Sequence, residues 1–210
     1  MSRATRIILI RHGQTAWNRE ARFRGQADIA LDEFGLKQAE TTGRYVASRW
    51  PVVAVYASPL RRALQTAEPI ARAHGLAAQP LDGLIDIHFG ECQGLSWDEV
   101  EQRYPGLGAT WMAAPHTVHF PGGESLDDVR GRIVAALEEV VERHPGGAVA
   151  LVSHTCSNRV LLCAVLGLGN ERFWRLGQDT CAVNVFDAED GVYTVLLLND
   201  TSHLLGLEGE

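Results

Sequence analysis

Three short segments of the sequence combine histidine and arginine in a way that suits anion chemistry. They are Arg11-His12-Gly13, Ser58-Pro59-Leu60-Arg61-Arg62 and Ser153-His154-Thr155. A guanidinium group presents a planar fork of N–H donors that matches the oxygens of a phosphate group. If these segments meet in the fold, two of their three arginines and both histidines would form one phosphate-binding site.

A histidine beside arginines also indicates covalent catalysis. A neutral imidazole nitrogen can attack phosphorus and form a phosphohistidine, which water then hydrolyses. The arginines would neutralise charge on the phosphoryl oxygens, and a nearby carboxylic acid would protonate the leaving alcohol. Taken singly, the segments have ordinary structural explanations: a loop, a hydrogen-bonded core histidine and a solvated helix face. The functional interpretation depends on all three occurring together.

The elements that must position these segments are strands. Each segment follows a short apolar run rich in β-branched residues, which is typical of a buried parallel strand. The runs are Arg6 to Ile10, Val52 to Ala57 and Ala148 to Val152. In open α/β sheets, ligands bind beyond the carboxyl ends of the strands. The sequence therefore predicts that the three segments meet at one edge of the sheet, beside helix N-termini.

Helical patterns alternate with these strands, and this predicts an α/β fold with a mostly parallel sheet covered on both faces. Ser125 is the expected N-cap of one helix. Two late runs, Cys181 to Phe186 and Tyr193 to Leu198, predict a hairpin-like pair of strands. The predicted helices are Gly35 to Trp50, Leu60 to His74, Leu126 to Arg143 and Cys156 to Leu166.

The length of 210 residues suits a single domain spanning residues 1–210. Residues 86–124 fit the alternating pattern poorly, because they are rich in Gly, Pro, Trp and His. We expect them to form an irregular flap with one short helix near Ser96 to Arg103. A short, loose C-terminal tail is expected after the last strand.

Composition narrows the class of protein. Apolar residues make up 46% and charged residues 21% of the chain, an ordinary balance for a soluble globular protein. No apolar run approaches the roughly 20 residues that span a bilayer, and Ile7 to Ile10 is too short for a signal-peptide core.

The four cysteines lack paired spacing and are expected to be reduced thiols. A cytoplasmic protein without a membrane partner is predicted, and the net charge of −7 argues against a nucleic-acid partner.

Four blocks of sequence resemble the histidine phosphatase superfamily, which includes the cofactor-dependent phosphoglycerate mutases. The segment from Leu9 to Asn18 is similar to the signature R-H-G-[EQ]-[ST]-x-x-N, and Ser58 to Ala67 to the block S-x-L-x-R-A-x-Q-T-A. Val152-Ser153-His154 matches the block that carries a second histidine, and Phe120 to Ser125 the P-G-G-E-S turn. The blocks occur in the family's order and span residues 6 to 203.

This resemblance implies a three-layer αβα sandwich and assigns roles to particular residues. His12 would be the nucleophile, while Arg11, Arg62 and His154 would hold the phosphoryl group. The second block places the phosphate-binding arginine at Arg62 rather than Arg61. The resemblance further implies that Asn18, Arg24, Gly25 and Thr155 line the phosphate or substrate side of the site, with no metal and no cofactor.

Two positions depart from the family pattern. The family usually has a glutamate proton donor where this sequence has Asp86, whose side chain is one methylene shorter. We take Asp86 as the expected proton donor, with Glu91 and His88 as alternatives. Thr155 stands where the family most often has glycine, and its side chain is expected to narrow the pocket.

Three functions are compatible with these features. The first is a metal-independent phosphatase acting on a small phosphorylated metabolite, such as phosphoserine, a sugar phosphate, α-ribazole phosphate or phosphoglycerate. The second is a phosphoglycerate mutase, although larger family mutases carry a longer flap and a C-terminal extension. The third is a non-catalytic phosphate-binding module, which only the aspartate at Asp86 suggests. A homodimer is one compatible oligomeric state.

Other chemistries lack their motifs. The pair His116 and His119 has no acidic neighbour or helical pattern, so a flap surface is expected there rather than a zinc site. Gly167-Leu168-Gly169 is expected to stop a helix, and Trp111 and Trp174 are expected to be packing residues. No phosphate-binding P-loop motif and no G-x-S-x-G nucleophile motif occurs.

Overall fold

A six-stranded sheet in the order β3-β2-β4-β1-β5-β6 forms the centre of the molecule. The computed structural model describes residues 4–18 and 22–207, apart from the side chain of Asn18. Strands β3, β2, β4 and β1 are parallel, whereas β5 runs antiparallel to both β1 and β6. The strands are β1 Thr5–Arg11, β2 Val52–Ala57, β3 Ala78–Pro80, β4 Ala148–Ser153, β5 Val183–Glu189 and β6 Val192–Asp200.

Helices cover both faces of this sheet, which confirms the predicted three-layer αβα sandwich. Helices α1 and α2 pack on one face, and α5 and α6 on the other. The helices are α1 Glu33–Arg49, α2 Arg61–Ala73, α3 Trp97–Arg103, α4 Leu107–Ala113, α5 Leu126–Arg143 and α6 Thr155–Val165.

The alternation of side chains along β1 explains why both faces are apolar. Ile7 and Leu9 belong to the core cluster under α5 and α6, whereas Ile8 and Ile10 belong to the cluster under α1 and α2. Successive side chains of a strand point to opposite faces, so a strand buried on both sides must be apolar throughout. All four side chains are fully buried.

Most predicted elements are present, with boundaries shifted by a few residues. The hairpin of β5 and β6 is confirmed, and Ser125 caps α5 by accepting a hydrogen bond from the Asp128 N–H. Gly167 has a left-handed backbone after α6, consistent with the predicted helix stop. The three-residue strand β3 was not predicted, because Ala78–Pro80 contains no β-branched residue and ends in proline.

The flap of residues 86–124 contains more helix than the sequence predicts. Its expected helix is α3, which begins with a capping box between Ser96 and Glu99. A second helix, α4, follows after the left-handed residue Gly106. With seven residues, α4 is too short to show a clear period, and its stability comes from packing of Trp111 rather than from propensity.

The expected loose C-terminal tail is instead attached to α1 as far as His203. The His203 ring stacks on Tyr45 at 4.5 Å between centroids, and its Nε2 lies 3.0 Å from the Thr42 hydroxyl. Stacking and a partly buried hydrogen bond hold this part of the tail against the helix. No helix among residues 4–18 and 22–207 is long and apolar enough to cross a membrane.

Two glycines allow the loop after β1 to touch the first turn of α1. A Cβ on Gly35 would overlap the carbonyl oxygen of Gln14, and a Cβ on Gly13 would lie 2.7 Å from the carbonyl oxygen of Gly35. The loop that carries His12 is therefore supported by direct backbone contact with α1.

We predict that Gly35→Ala lowers the free energy of unfolding by about 1–3 kcal/mol, because the added methyl forces two backbone segments apart. Urea-induced unfolding measures this change. Gly131→Ala in α5 is the control, since nothing lies within 4 Å of its added Cβ. That change should stabilise the protein by roughly 0.5–1 kcal/mol through helix propensity. Equal destabilisation by both substitutions would contradict the assignment.

Candidate active site

The sheet register brings the three predicted segments together at one edge. Arg11 at the end of β1 is paired with Ser153 at the end of β4. Beyond these strand ends, the His12 N–H donates to the Ser153 carbonyl at 2.9 Å, and the Ser58 N–H donates to the Val152 carbonyl at 2.9 Å. The site is thus assembled by ordinary sheet hydrogen bonding.

His12 is buried, and its ring is held in one tautomer. Its Nδ1 lies 2.7 Å from the Gly13 carbonyl oxygen. Because a carbonyl only accepts, Nδ1 carries the proton and Nε2 presents its lone pair. Burial lowers the pKa of His12 well below its ordinary value, and the charges of Arg62 and Arg11 lower it further. A neutral imidazole with a free lone pair is the form that can attack phosphorus.

His154 lies beside His12 and is also neutral. The ring centroids are 5.1 Å apart, and the His154 side chain is fully buried. Its Nδ1 accepts from Arg62 Nε at 3.2 Å, which leaves the proton on Nε2, 2.7 Å from the Ser58 hydroxyl. Burial is the largest cause that lowers the His154 pKa. The sequence suggests a potentially cationic group here, but in this structure both ring nitrogens bind protein atoms and the ring is uncharged.

Arg62 is 1% exposed and lies deep beneath the site. Its Nη1 and Nη2 donate to the carbonyls of Ala27 and Gly25, each at 2.7 Å, and Nη2 lies 3.6 Å from Asp86 Oδ2. Arg61 points away: it is exposed and pairs with Asp28 at 2.9 Å. Arg62 is therefore buried beside His154 and Asp86, whereas Arg61 faces solvent. That Arg62 binds the phosphoryl group stays a prediction of the motif alignment.

Arg11 and Arg24 supply further positive charge around His12. Arg11 Nη1 donates to the Gln178 carbonyl at 2.6 Å, while its buried Nε has no partner among the described residues. Burial, followed by the charge of Arg24, lowers the pKa of Arg11 to about 10, so that it remains a cation near neutral pH. Arg24 Nη1 is likewise buried without a partner in the described part of the chain. Buried N–H groups of this kind are poised to bind an anion.

Asp86 is the carboxyl group nearest to these cations. It is 7% exposed, its Oδ1 accepts from the Ile87 N–H at 3.0 Å, and its Oδ2 lies 3.9 Å from His154 Nδ1. Burial raises the pKa of Asp86, although Arg62 opposes this shift. The other predicted acids are engaged elsewhere: Glu91 binds Arg103 and Tyr104, and His88 Nδ1 accepts from the Gly90 N–H.

These groups border a cavity of about 430 Å³, a suitable size for a small ligand. Its lining combines charged residues with aromatic rings. Cys156, whose pKa burial raises, also lies on its wall. The lining residues are Arg11, His12, Arg22, Phe23, Arg24, Gly25, Asp86, Phe89, Trp97, Trp111, Thr155, Cys156, Arg159, Trp174 and Gln178.

The predicted substrate-side residues fall mostly on this cavity. Arg24, Gly25 and Thr155 line it, and Thr155 is the first residue of α6. Gly25 has a left-handed backbone with φ of 49°, and its neighbour Ile87 leaves no room for a side chain. Asn18 ends a short helical turn, but its side chain lies outside the described part of the structure.

The sequence did not identify several residues of the cavity wall. Arg159 follows Thr155 by four positions, so both lie on one face of α6. This helical spacing is the feature of the sequence that could have placed Arg159 on the cavity wall. Trp111 and Trp174, which were predicted to be packing residues, pack against each other with centroids 5.6 Å apart, and they also line the cavity. No group of three or more potential metal ligands occurs among the described residues.

Comparison with known proteins agrees with this geometry. Residues 7–201 match the histidine phosphatase superfamily (branch 1). The chain is 39% identical to phosphoserine phosphatase 1 of Hydrogenobacter thermophilus over 95% of its own length and 94% of that protein. It is 32% identical to a metal-independent phosphoserine phosphatase of Arabidopsis thaliana, over 97% and 84% of the two chains.

The fold is also similar to that of a solved structure. Bacillus stearothermophilus YhfR superimposes with a TM-score of 0.90 at 30% sequence identity, covering 96% of this chain and all of the other. The chain therefore belongs to the histidine phosphatase superfamily. It is a phosphoric monoester hydrolase with the α/β fold of that family, as the sequence predicts.

We predict that Arg62→Ala lowers kcat/KM by about a hundredfold or more, because removing a buried charged donor from a phosphoryl-transfer site costs on the order of 3 kcal/mol. Arg61→Ala is the matched control. It removes the same charge one residue away but breaks only exposed contacts, an ion pair with the Asp28 carboxylate and a hydrogen bond to the Asp28 carbonyl. Its kcat/KM should change by no more than about twofold. Steady-state kinetics compares the two, and equal losses would contradict the assignment.

Proposed function

We propose that the protein hydrolyses a small phosphomonoester without a metal ion, through a phosphohistidine formed on Nε2 of His12. The observation that carries this proposal is the state of the His12 ring. Its Nδ1 is fixed on the Gly13 carbonyl, and burial beside arginines keeps the imidazole neutral. The nucleophilic lone pair is available without any base to remove a proton.

Cations around His12 would stabilise the transferring phosphoryl group. Arg11, Arg24 and Arg62 surround this ring, and the first two present buried N–H groups without partners among the described residues. In a site of low polarity, such donors stabilise the charge that develops on phosphoryl oxygens more strongly than water does. A divalent ion is not required for this purpose when fixed guanidinium groups provide the charge.

Asp86 would act first as an acid and then as a base. As Nε2 of His12 bonds to phosphorus, the bond from phosphorus to the ester oxygen breaks and its electron pair stays on that oxygen. Asp86 donates its proton there and releases the alcohol. In the second half, Asp86 accepts a proton from water as the water oxygen attacks phosphorus. The P–N bond breaks, its electron pair returns to Nε2, and inorganic phosphate leaves.

The names of the relatives support hydrolysis over the alternatives. Both relatives described above are called phosphoserine phosphatases, and one is called metal-independent. We therefore place phosphate transfer to water ahead of the mutase activity and of a non-catalytic role. An assay with 3-phosphoglycerate separates the first two: a phosphatase releases inorganic phosphate, whereas a mutase forms 2-phosphoglycerate.

A cytoplasmic location is supported by the cysteines, which are all unpaired, as is usual in a reducing compartment. The homodimer stays a prediction from the sequence.

We predict that His12 carries the covalent intermediate. Quenching with alkaline SDS during turnover of a 32P-labelled ester in EDTA should trap a phosphate on His12. This label should survive in base and be lost in acid, because a P–N bond is hydrolysed in acid. His12→Gln should abolish both the trapped label and phosphate release. His116→Gln, an exposed histidine of the flap, is the control and should retain both. Label on a carboxylate, or activity that disappears in EDTA and returns with magnesium, would overturn the mechanism.

We predict that Asp86→Asn lowers kcat/KM for an alkyl phosphate far more than for p-nitrophenyl phosphate. This parameter covers the steps up to release of the alcohol and leaves out the later step in which Asp86 acts as a base. An alkoxide cannot leave unprotonated, whereas p-nitrophenolate needs little protonation. Because burial raises the pKa of Asp86, its acid form persists to higher pH. Activity on the alkyl ester should fall as pH rises through this pKa, and that fall should be absent in the variant. Asp82→Asn, an exposed aspartate four residues earlier, is the control. Equal loss of kcat/KM on both substrates would instead make Asp86 a positioning residue.

A further inference from the structure

Arg159 is a charged residue of the cavity that the proposed reaction does not use. It lies on α6, one turn after Thr155, and is partly buried. Its Nε donates to the Leu176 carbonyl at 2.8 Å, and its guanidinium stacks on the Trp174 ring at 4.8 Å from the centroid. These contacts fix the plane of the guanidinium group in advance of any ligand.

The rest of the Arg159 guanidinium is open for binding. An arginine has five N–H donors, and the Nε donor is the one that binds a described protein atom here. Among the described residues, no carboxylate lies within ion-pair distance of Arg159. Asp179 acts on Arg159 from beyond ion-pair distance. A cation that is partly desolvated, stacked on aromatic rings and free of a close ion pair among the described residues suits a negatively charged group of a ligand.

The charge balance of the cavity also points to a second anion. Its described lining includes four arginines, Arg11, Arg22, Arg24 and Arg159, but one carboxyl group, Asp86. Outside the lining, Glu99 pairs with Arg22 at 3.6 Å, and Asp179 acts on Arg11 and Arg159. A phosphoryl dianion beside His12 is already matched by Arg11, Arg24 and the deeper Arg62. The positive charge of Arg159 acts on the same site, since it lowers the pKa of Arg11. One guanidinium matches the single charge of a carboxylate better than the double charge of another phosphate.

The remaining wall of the cavity is aromatic. Trp111 packs edge-on against Trp174, and Phe89 lies 6.2 Å from Trp111, so that the rings are continuous. Phe23 and Trp97 extend this surface, with centroids 4.8 Å apart. Such a wall accepts the carbon skeleton of a leaving group rather than further charges.

We propose that Arg159 determines substrate specificity by binding a carboxylate on the leaving group of the phosphomonoester. The carbon skeleton of that group lies against the aromatic wall while its phosphoryl group lies at His12. This inference rests on the proposed phosphatase function, and it adds the chemical class of the substrate.

Two pairs of esters test the class of substrate. In the aliphatic pair, 3-phosphoglycerate is compared with glycerol 3-phosphate, in which a hydroxymethyl group replaces the carboxylate. In the aromatic pair, 4-carboxyphenyl phosphate is compared with 4-carbamoylphenyl phosphate. In at least one pair we expect the carboxylated ester to have a kcat/KM about ten- to a hundredfold higher, the usual range for a charge-assisted hydrogen bond. If neither pair shows a preference for the carboxylated ester, the inference is wrong. If the protein hydrolyses none of the four esters, the proposed function itself is wrong.

Substitution of Arg159 tests the residue. Arg159→Gln should remove the preference for the carboxylated ester by raising its KM, and Arg159→Lys should restore part of it by restoring the charge. The control is Arg175→Gln, which removes an equal charge from an exposed residue next to Trp174. Its preference should equal that of the unmodified protein. If Arg159→Gln lowers kcat/KM equally for both members of a pair, Arg159 is a structural support of Leu176 and the inference is wrong. The inference also fails if Arg175→Gln abolishes the preference.

Discussion

This active site depends on one physical condition: a cluster of arginines is buried, so that water does not screen their charges. Burial and the surrounding guanidinium groups lower the pKa of the His12 imidazole, so the ring stays neutral and nucleophilic near neutral pH. The same burial makes ionisation of Asp86 unfavourable, so the carboxyl group can retain the proton that a leaving alcohol needs. One environment thus prepares two groups of opposite function, and the arginines would lose their unfavourable mutual repulsion when a phosphoryl dianion enters.

The sheet makes this concentration of charge possible. The middle residues of β1 (Ile7 to Ile10) and of β4 (Val149 to Val152) are fully buried and apolar, and an unpaired charge among them would be strongly unfavourable. The cations are placed just beyond the strand ends, where backbone hydrogen bonds between β1, β4 and the segment after β2 fix their separation. Bringing like charges together lowers the stability of the fold. Burial of apolar side chains in the sheet and its helices offsets this unfavourable free energy.

The predictable part of the molecule is the part with strong periodicity or fixed motifs. Hydrophobic periodicity identifies the buried strands β1, β2 and β4 and the long helices. The ends of these strands then place the segments that contain histidine and arginine. The pairing of His154 with Ser58 and Arg62 could not be deduced from the sequence, because it depends on distances across 92 or more positions. Helix α4 and the aromatic wall were missed for a related reason, since short segments are stabilised by tertiary contacts that leave no local signal.

Arg62 has a second role that follows from where its hydrogen bonds go. Two of its nitrogens bind the carbonyls of Gly25 and Ala27, in the turn that follows Arg24. The buried arginine therefore also fastens the backbone of a neighbouring binding loop. Replacing Arg62 would release that loop and displace Arg24 as well, so the two residues form one energetically coupled unit. The effects of replacing Arg62 and Arg24 on the activation free energy are therefore not additive. The effect of replacing Arg62 alone combines the loss of its charge with the loss of its hydrogen bonds to the loop.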